Sequence, residues 1–241
     1  MKRVPLTIIL FLSFLITSAQ TEVKVYQSLL KNYVSANGKV DYQGLKKNED
    51  ILDIYLDYLN KKIPLKKWSS DQAKAYWLNV YNAYTIKLVL DHYPINSLRD
   101  IKKNNVDAWG ISFVKAGGHT YTLDYIEHKI LRRWHDDPRI HVGINSASMS
   151  GPRLPNFVFN KENVEAKLNY LMKVFLNDRS KNKITPSAIE LSKIFEWYKE
   201  DFSVTGNLIN FLNKYSITKI NPYAEVTYKE YDWGLNEFKK Q

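Results

Sequence analysis

The chain has 241 residues, 44% of them hydrophobic and 14% aromatic, with a formal net charge of +10. That apolar content can bury a sizeable core and excludes a disordered chain. It holds no cysteine, which excludes disulfides, thiolate nucleophiles, iron–sulfur clusters and cysteine-held zinc. The positive surplus suits anionic glycans, lipid surfaces or nucleic acid. However, Lys and Arg occur as short scattered pairs, such as Lys61-Lys62, Lys66-Lys67 and Arg132-Arg133, with no continuous stripe. The charge therefore reads as surface and solubility, and no nucleic-acid partner is expected.

Residues 1–20 differ from the rest. Lys2 and Arg3 are followed by an apolar run from Val4 to Ile16, then by the small residues Thr17-Ser18-Ala19 and Gln20. This is the layout of a cleavable signal peptide. The run is about 13 residues long, short of the roughly 20 needed for a membrane span, and no cysteine follows it to carry a lipid. The expectation is a bacterial protein exported to the periplasm or secreted, without a stable membrane anchor, whose residues 21–241 form a single domain.

Apolar residues Val25, Tyr26, Leu29, Leu30 and Tyr33 recur at helical spacing, and Asn37-Gly38 breaks the pattern. Ile51, Leu52, Tyr55, Leu56 and Leu59 predict a second helix. Ser69 and Gln72 fit a capping box that opens the strongest helix, which runs to about His92 and is stopped by Tyr93-Pro94. Its centre, Ala75 to Tyr84, is nearly all apolar or aromatic, so it should be buried, with Asn79 and Asn82 in or beside the core and their amides partnered.

Residues Ile111–Thr122, turning at Ala116-Gly117-Gly118-His119, predict a β-hairpin. Thr122 then caps a helix over Leu123–Arg133. Ile140 to Asn145 reads as a short strand, with Ile140, Val142 and Ile144 on one face and His141, Gly143 and Asn145 on the other. In the last third, Asn163–Phe175 predicts a helix, Ile189 and Leu191 a strand, Ser192–Tyr198 and Asn207–Tyr215 helices, and Val226–Tyr231 a strand. With no repeat or linker, the expected class is α+β: one domain with several helices packed on a small, mostly antiparallel sheet.

The stretch Asn145-Ser146-Ala147-Ser148-Met149-Ser150-Gly151 is the richest in possible chemistry. A loop of small residues after a regular element leaves backbone N–H groups free for a ligand or oxyanion. Ser146, Ser148 and Ser150 offer hydroxyls, Asn145 an amide and Gly151 backbone; the same composition also makes an ordinary turn. Among the histidines, His128 is the first candidate for a general base by residue type. It follows Glu127, and helix neighbours do not face each other, so these two are no orienting pair. His141 is a second candidate. No metalloprotease HExxH, EF-hand, phosphate loop or dinucleotide fingerprint occurs, so neither metal nor cofactor is expected.

Four blocks in order resemble the DUF547 family: Tyr76 to Ala83, Leu123 to Arg132, Asp137 to Leu154 and Tyr231 to Asn236. The resemblance implies exported proteins of largely unknown function on a core distantly similar to papain-like and transglutaminase-like cysteine hydrolases. It also implies two loop cysteines, in a pattern like N-C-A-S-x-S-C-P, at positions that here read Ser146 and Gly151. The matched Asn79, Asn82, Glu127, His128 and Asn145 remain. A serine is a poor substitute for a thiol near neutral pH, so the replacement points to a non-catalytic member binding a peptide, glycan or small molecule. Two other readings stay open. One is a hydrolase or acyl-transfer enzyme pairing a loop serine with His128 or His141. The other is a structural or interaction protein.

Overall fold

The structure, a computed structural model, describes residues 21–204 and 206–238; the expected signal peptide lies outside them. The molecule is organised around one helix. Within α4 (Ser70–His92), every side chain from Lys74 to Leu90 except Lys87 is buried, as its apolar run requires. Ser69 caps it by accepting the Gln72 N–H at 3.2 Å, and Tyr93, its C-terminal cap, is extended ahead of Pro94.

The remaining elements wrap this axis. Helix α1 (residues 21–33) ends before Asn37-Gly38, where Gly38 adopts φ +78°. Short helix α2 (Tyr42–Lys46) and amphipathic α3 (Glu49–Lys61) follow, the latter burying Leu52, Tyr55, Leu56 and Leu59. Each such side chain contributes about 1.5–3 kcal/mol on burial. Tyr55 stacks on Tyr26 of α1 with centroids 4.0 Å apart.

Strands β1 (Lys102–Lys103) and β2 (Val106–Asp107) form an exposed hairpin. Strands β3 (Val114–Ala116) and β4 (His119–Tyr121) form the hairpin expected from Gly117-Gly118, both glycines having positive φ. Its tip docks on the end of α3, where Gly118 donates to the Asn60 carbonyl at 2.8 Å. The third sheet has the order β5-β6-β7 (Lys183–Ile184, Ala188–Leu191, Glu225–Tyr228), β5 antiparallel and β7 parallel to β6. The fold is thus α+β in a single domain, with its strands divided among three small sheets.

Thr122 caps the next helix by accepting the Tyr125 N–H at 2.9 Å. This helix is widened into a π-type segment over Tyr125–Leu131, continued by α5 (Arg132–His135). The expected strand at Ile140–Asn145 is not one: Ile140–Gly143 forms a helical turn, α6. Alternating apolar residues suggested two faces, but residues 140–145 are all buried, so no polar face exists to define a strand. Asp137 and Pro138 start the turn, with Ile140 and His141 donating to their carbonyls at 3.1 and 3.3 Å. Gly143 lies so close to Leu78 and Leu168 that a Cβ would fall 2.9 and 2.7 Å from them.

Helix α7 (Val164–Asn177) packs on α4 and α6. Lys74 of α4, Asp137 and Arg139 before α6 and Glu165 of α7 form an ion network with N–O distances of 2.6–2.8 Å. Helices α8 (Ile194–Trp197) and α9 (Leu208–Leu212) complete the domain, Asn207 capping α9. Among the described residues, no helix is long and apolar enough to cross a membrane.

Candidate functional site

A cleft of about 230 Å³ opens where the π-type segment, α6, the Ser146–Gly151 loop and α8 meet. Its walls are aromatic: Tyr81, Trp109, Trp197, Tyr198, Tyr231 and Trp233. Trp197 and Trp233 stack at 5.7 Å, and Tyr231 lies 4.8 Å from Trp197 and 4.5 Å from Trp233. Its polar lining is Asp124, Glu127, His128, His141 and Ser146, and among the described residues no Lys or Arg lines it.

His141 is the best-held of these groups. The helical turn buries it to 2% exposure, with its ring stacked on Tyr198 at 3.7 Å. Its Nε2 lies 2.7 Å from Asp201 Oδ2. Because an ionised carboxylate only accepts, Nε2 carries the proton there, and in the neutral ring Nδ1 presents its lone pair. Among the described residues that buried Nδ1 has no hydrogen-bond partner; it lies 3.9 Å from Glu127 Oε1. Asp201 is also gripped in bidentate fashion by Arg132, at 2.7 and 2.8 Å. Burial alone would raise the Asp201 pKa, but the hydrogen bonds from His141 and Arg132 outweigh it and hold the carboxyl well below its usual range.

Glu127 is buried at 7% exposure and accepts hydroxyl protons from Tyr198 at 2.5 Å and Tyr81 at 3.2 Å. No Lys or Arg pairs with it among the described residues. His128 is half exposed; its Nδ1 lies 3.2 Å from the Arg132 guanidinium and its Nε2 3.9 Å from Asp124. Glu127 and His128 therefore have separate partners, as expected of adjacent helix residues. Burial, with Asp107 and Glu127 nearby, pushes the Asp124 carboxyl up against the opposing pull of His128.

The serines are bound to the loop and to the chain's far end. Ser146 Oγ lies 3.1 Å from Ser148 Oγ and 3.4 Å from the Tyr231 hydroxyl, while Ser148 Oγ lies 2.7 Å from that hydroxyl. Ser150 Oγ accepts the Asp232 N–H at 2.9 Å. Backbone bonds from Met149 to Gly234, Ser150 to Asp232 and Asn236 to Ala147, at 2.7–3.1 Å, strap the loop to residues 232–236. No hydrogen bond joins a loop serine to either histidine among the described residues. Gly151 sits where a Cβ would approach Ser148 Oγ at 2.8 Å and the Tyr231 hydroxyl at 3.1 Å.

The asparagines hold backbone in place. Asn82 donates to the Gly143 carbonyl at 2.8 Å and accepts the Asn145 N–H at 2.9 Å. Asn145 accepts the Ala147 N–H at 2.9 Å and donates to the Pro152 carbonyl at 2.6 Å, bracing Ala147 at φ +54°. Asn79 grips both backbone groups of Phe159, at 2.8 and 3.0 Å, beside a different cavity.

Of the residues singled out from sequence, Glu127, His128, His141 and Ser146 thus line one cleft. Asn82, Asn145 and Ser150 brace it, Ser148 and Gly151 line a cavity on the other side of the loop, and Asn79 stands apart. Sequence reasoning missed Asp124, Asp201, Tyr198 and the tryptophans. Tyr231 and Trp233 had a signal in the Tyr231–Asn236 block; Asp201, in an unremarkable polar segment, had none. Among the described residues, no group of three or more His, Asp or Glu is placed to hold a metal ion.

No curated protein and no solved structure matches the chain. Residues 65–176, which hold Glu127, His128, His141 and the Ser146–Gly151 loop, match the model of the family described as a protein of unknown function, DUF547.

Proposed function

We propose that this chain is an exported, non-catalytic binding protein that holds a small molecule, glycan or peptide group in the cleft between His141 and the Trp197–Trp233 wall. The observation that carries this reading is the commitment of the Ser146 hydroxyl. It bonds to Ser148 and Tyr231 and makes no hydrogen bond to His141, so no base stands ready to take its proton. Aromatic walls around a few fixed polar groups are what ligand cavities require. The leader-like residues 1–20 support export to the periplasm or beyond.

A serine-reactive fluorophosphonate tests the absence of catalysis on wild type and Ser146→Ala. The expected result is no labelling of either. Labelling of wild type that vanishes in Ser146→Ala would make the chain an enzyme. One observation favours that second reading, a hydrolase or acyl-transfer enzyme. His141 is oriented by Asp201, has a ring nitrogen with no hydrogen-bond partner among the described residues, and lines the same cleft as Ser146. Export is tested by expressing the whole chain and sequencing the mature N-terminus, expected next to Ala19 or Gln20.

A further inference from the structure

We infer that the cleft recognises an organic ammonium group, a primary or secondary amine carried by a small molecule or by a lysine side chain. The inference rests on the binding reading above and names its ligand class.

Three observations lead there. First, the cleft lining carries acceptors from its buried end to its exposed rim. Glu127, buried, and Asp124, exposed, are carboxylates, and Nδ1 of the neutral His141 ring is an acceptor with no hydrogen-bond partner among the described residues. An ammonium offers up to three N–H donors and no acceptor, the complement of that set. Second, among the described residues the cleft lining holds two carboxylates and no Lys or Arg, in a chain with a formal net charge of +10. The nearest guanidinium, on Arg132, is already neutralised by its bidentate bond to Asp201. Glu127 is a buried carboxyl whose hydrogen bonds come from two neutral hydroxyls, with Arg132 acting on it only through space, so it has room for a cationic hydrogen-bond donor. Third, the walls are rings whose faces attract cations. Two already do so: Arg132 lies 5.0 Å from the Tyr198 centroid and Arg99 5.4 Å from that of Trp233. The surface charge of the whole chain would favour anions; the cleft has the opposite character.

The test is calorimetric titration of the mature wild-type protein at neutral pH with benzylamine, its neutral counterpart benzyl alcohol, benzoate and the peptide acetyl-Gly-Lys-Gly-amide. Benzylamine or the lysine peptide is expected to bind at least about tenfold tighter than benzyl alcohol, as a desolvated ammonium over aromatic faces should, and benzoate weakest. The tighter of the two cations separates a free amine from a lysine side chain. Glu127→Gln should abolish the preference. Because Glu127 holds two tyrosines, Asp124→Asn, at an exposed position, provides a second variant and should reduce it. Equal binding of benzyl alcohol, or tighter binding of benzoate, overturns the ammonium inference while leaving a binding cleft. Failure of both cations to bind folded wild type also overturns it, and the fluorophosphonate result then decides separately whether the cleft is catalytic.

Discussion

Asn82 offers the sharpest test of how the site is held. Its amide bridges the Gly143 carbonyl and the Asn145 N–H, at 2.8 and 2.9 Å, with all three residues buried. Replacing it by Leu keeps the volume but leaves two backbone groups unpaired in an apolar setting. At about 1–3 kcal/mol for each orphaned group, the expected loss is about 2–6 kcal/mol. Asn82→Ala should cost less, about 2–4 kcal/mol, because the vacated space can admit a water that finds the same two polar partners. Urea denaturation followed by far-ultraviolet circular dichroism measures both, the midpoint shifting and the slope staying constant. If Asn82→Leu loses less than about 0.5 kcal/mol, the bridge is not what fixes the turn to the loop.

In the ion network around Asp137 the Lys74–Asp137 pair is buried while Glu165 is half exposed; Lys74→Met is expected to cost about 3 kcal/mol in chemical denaturation, and an unchanged midpoint would show the remaining Arg139 pair suffices. Burial would raise the carboxyls of Asp137, Glu165 and Asp201, but their cationic partners win and hold all three below their ordinary values of 3.8, 4.5 and 3.8. Their stabilisation is therefore complete above those values and lost as pH falls through the lowered ones. The melting temperature should drop steeply below about pH 4 as these carboxylates are protonated; a level profile from pH 5 to pH 3 would contradict this. Gly151→Ala forces the Ser148–Tyr231 pair apart and should cost about 1–2 kcal/mol, with a changed near-ultraviolet dichroism from Tyr231 and its tryptophan neighbours. A variant as stable as wild type with an unaltered spectrum would show that the loop yields freely.

Helix α4 was legible because every local signal agreed: a serine cap, an unbroken apolar run, and a Tyr-Pro stop. The β3–β4 hairpin was legible because two adjacent glycines are the cheapest way to two positive φ values. Ile140–Gly143 was not, since β-branched alternation describes a strand and a fully buried turn equally well. The site divided along the same line. The loop was recognisable from its small residues and His141 was a candidate by residue type, but its partner Asp201 lies 60 positions away. Nothing in Glu200-Asp201-Phe202 distinguishes that carboxylate from a solvated one. The partnership between His141 and Asp201 is a product of tertiary packing, and no spacing rule encodes it.

The strap between the Ser146–Gly151 loop and residues 232–236 has a consequence for synthesis. The chain leaves the ribosome from its N-terminus, so α4 and the loop exist while their fastener has yet to be made. Tyr231, Trp233 and the backbone that clasps Met149 and Ser150 arrive later, and until then the cleft lacks one wall and its loop lacks its anchor. A chain cut short before Tyr231 would lack the Tyr231–Trp233 wall of this cleft and the backbone bonds that strap its loop.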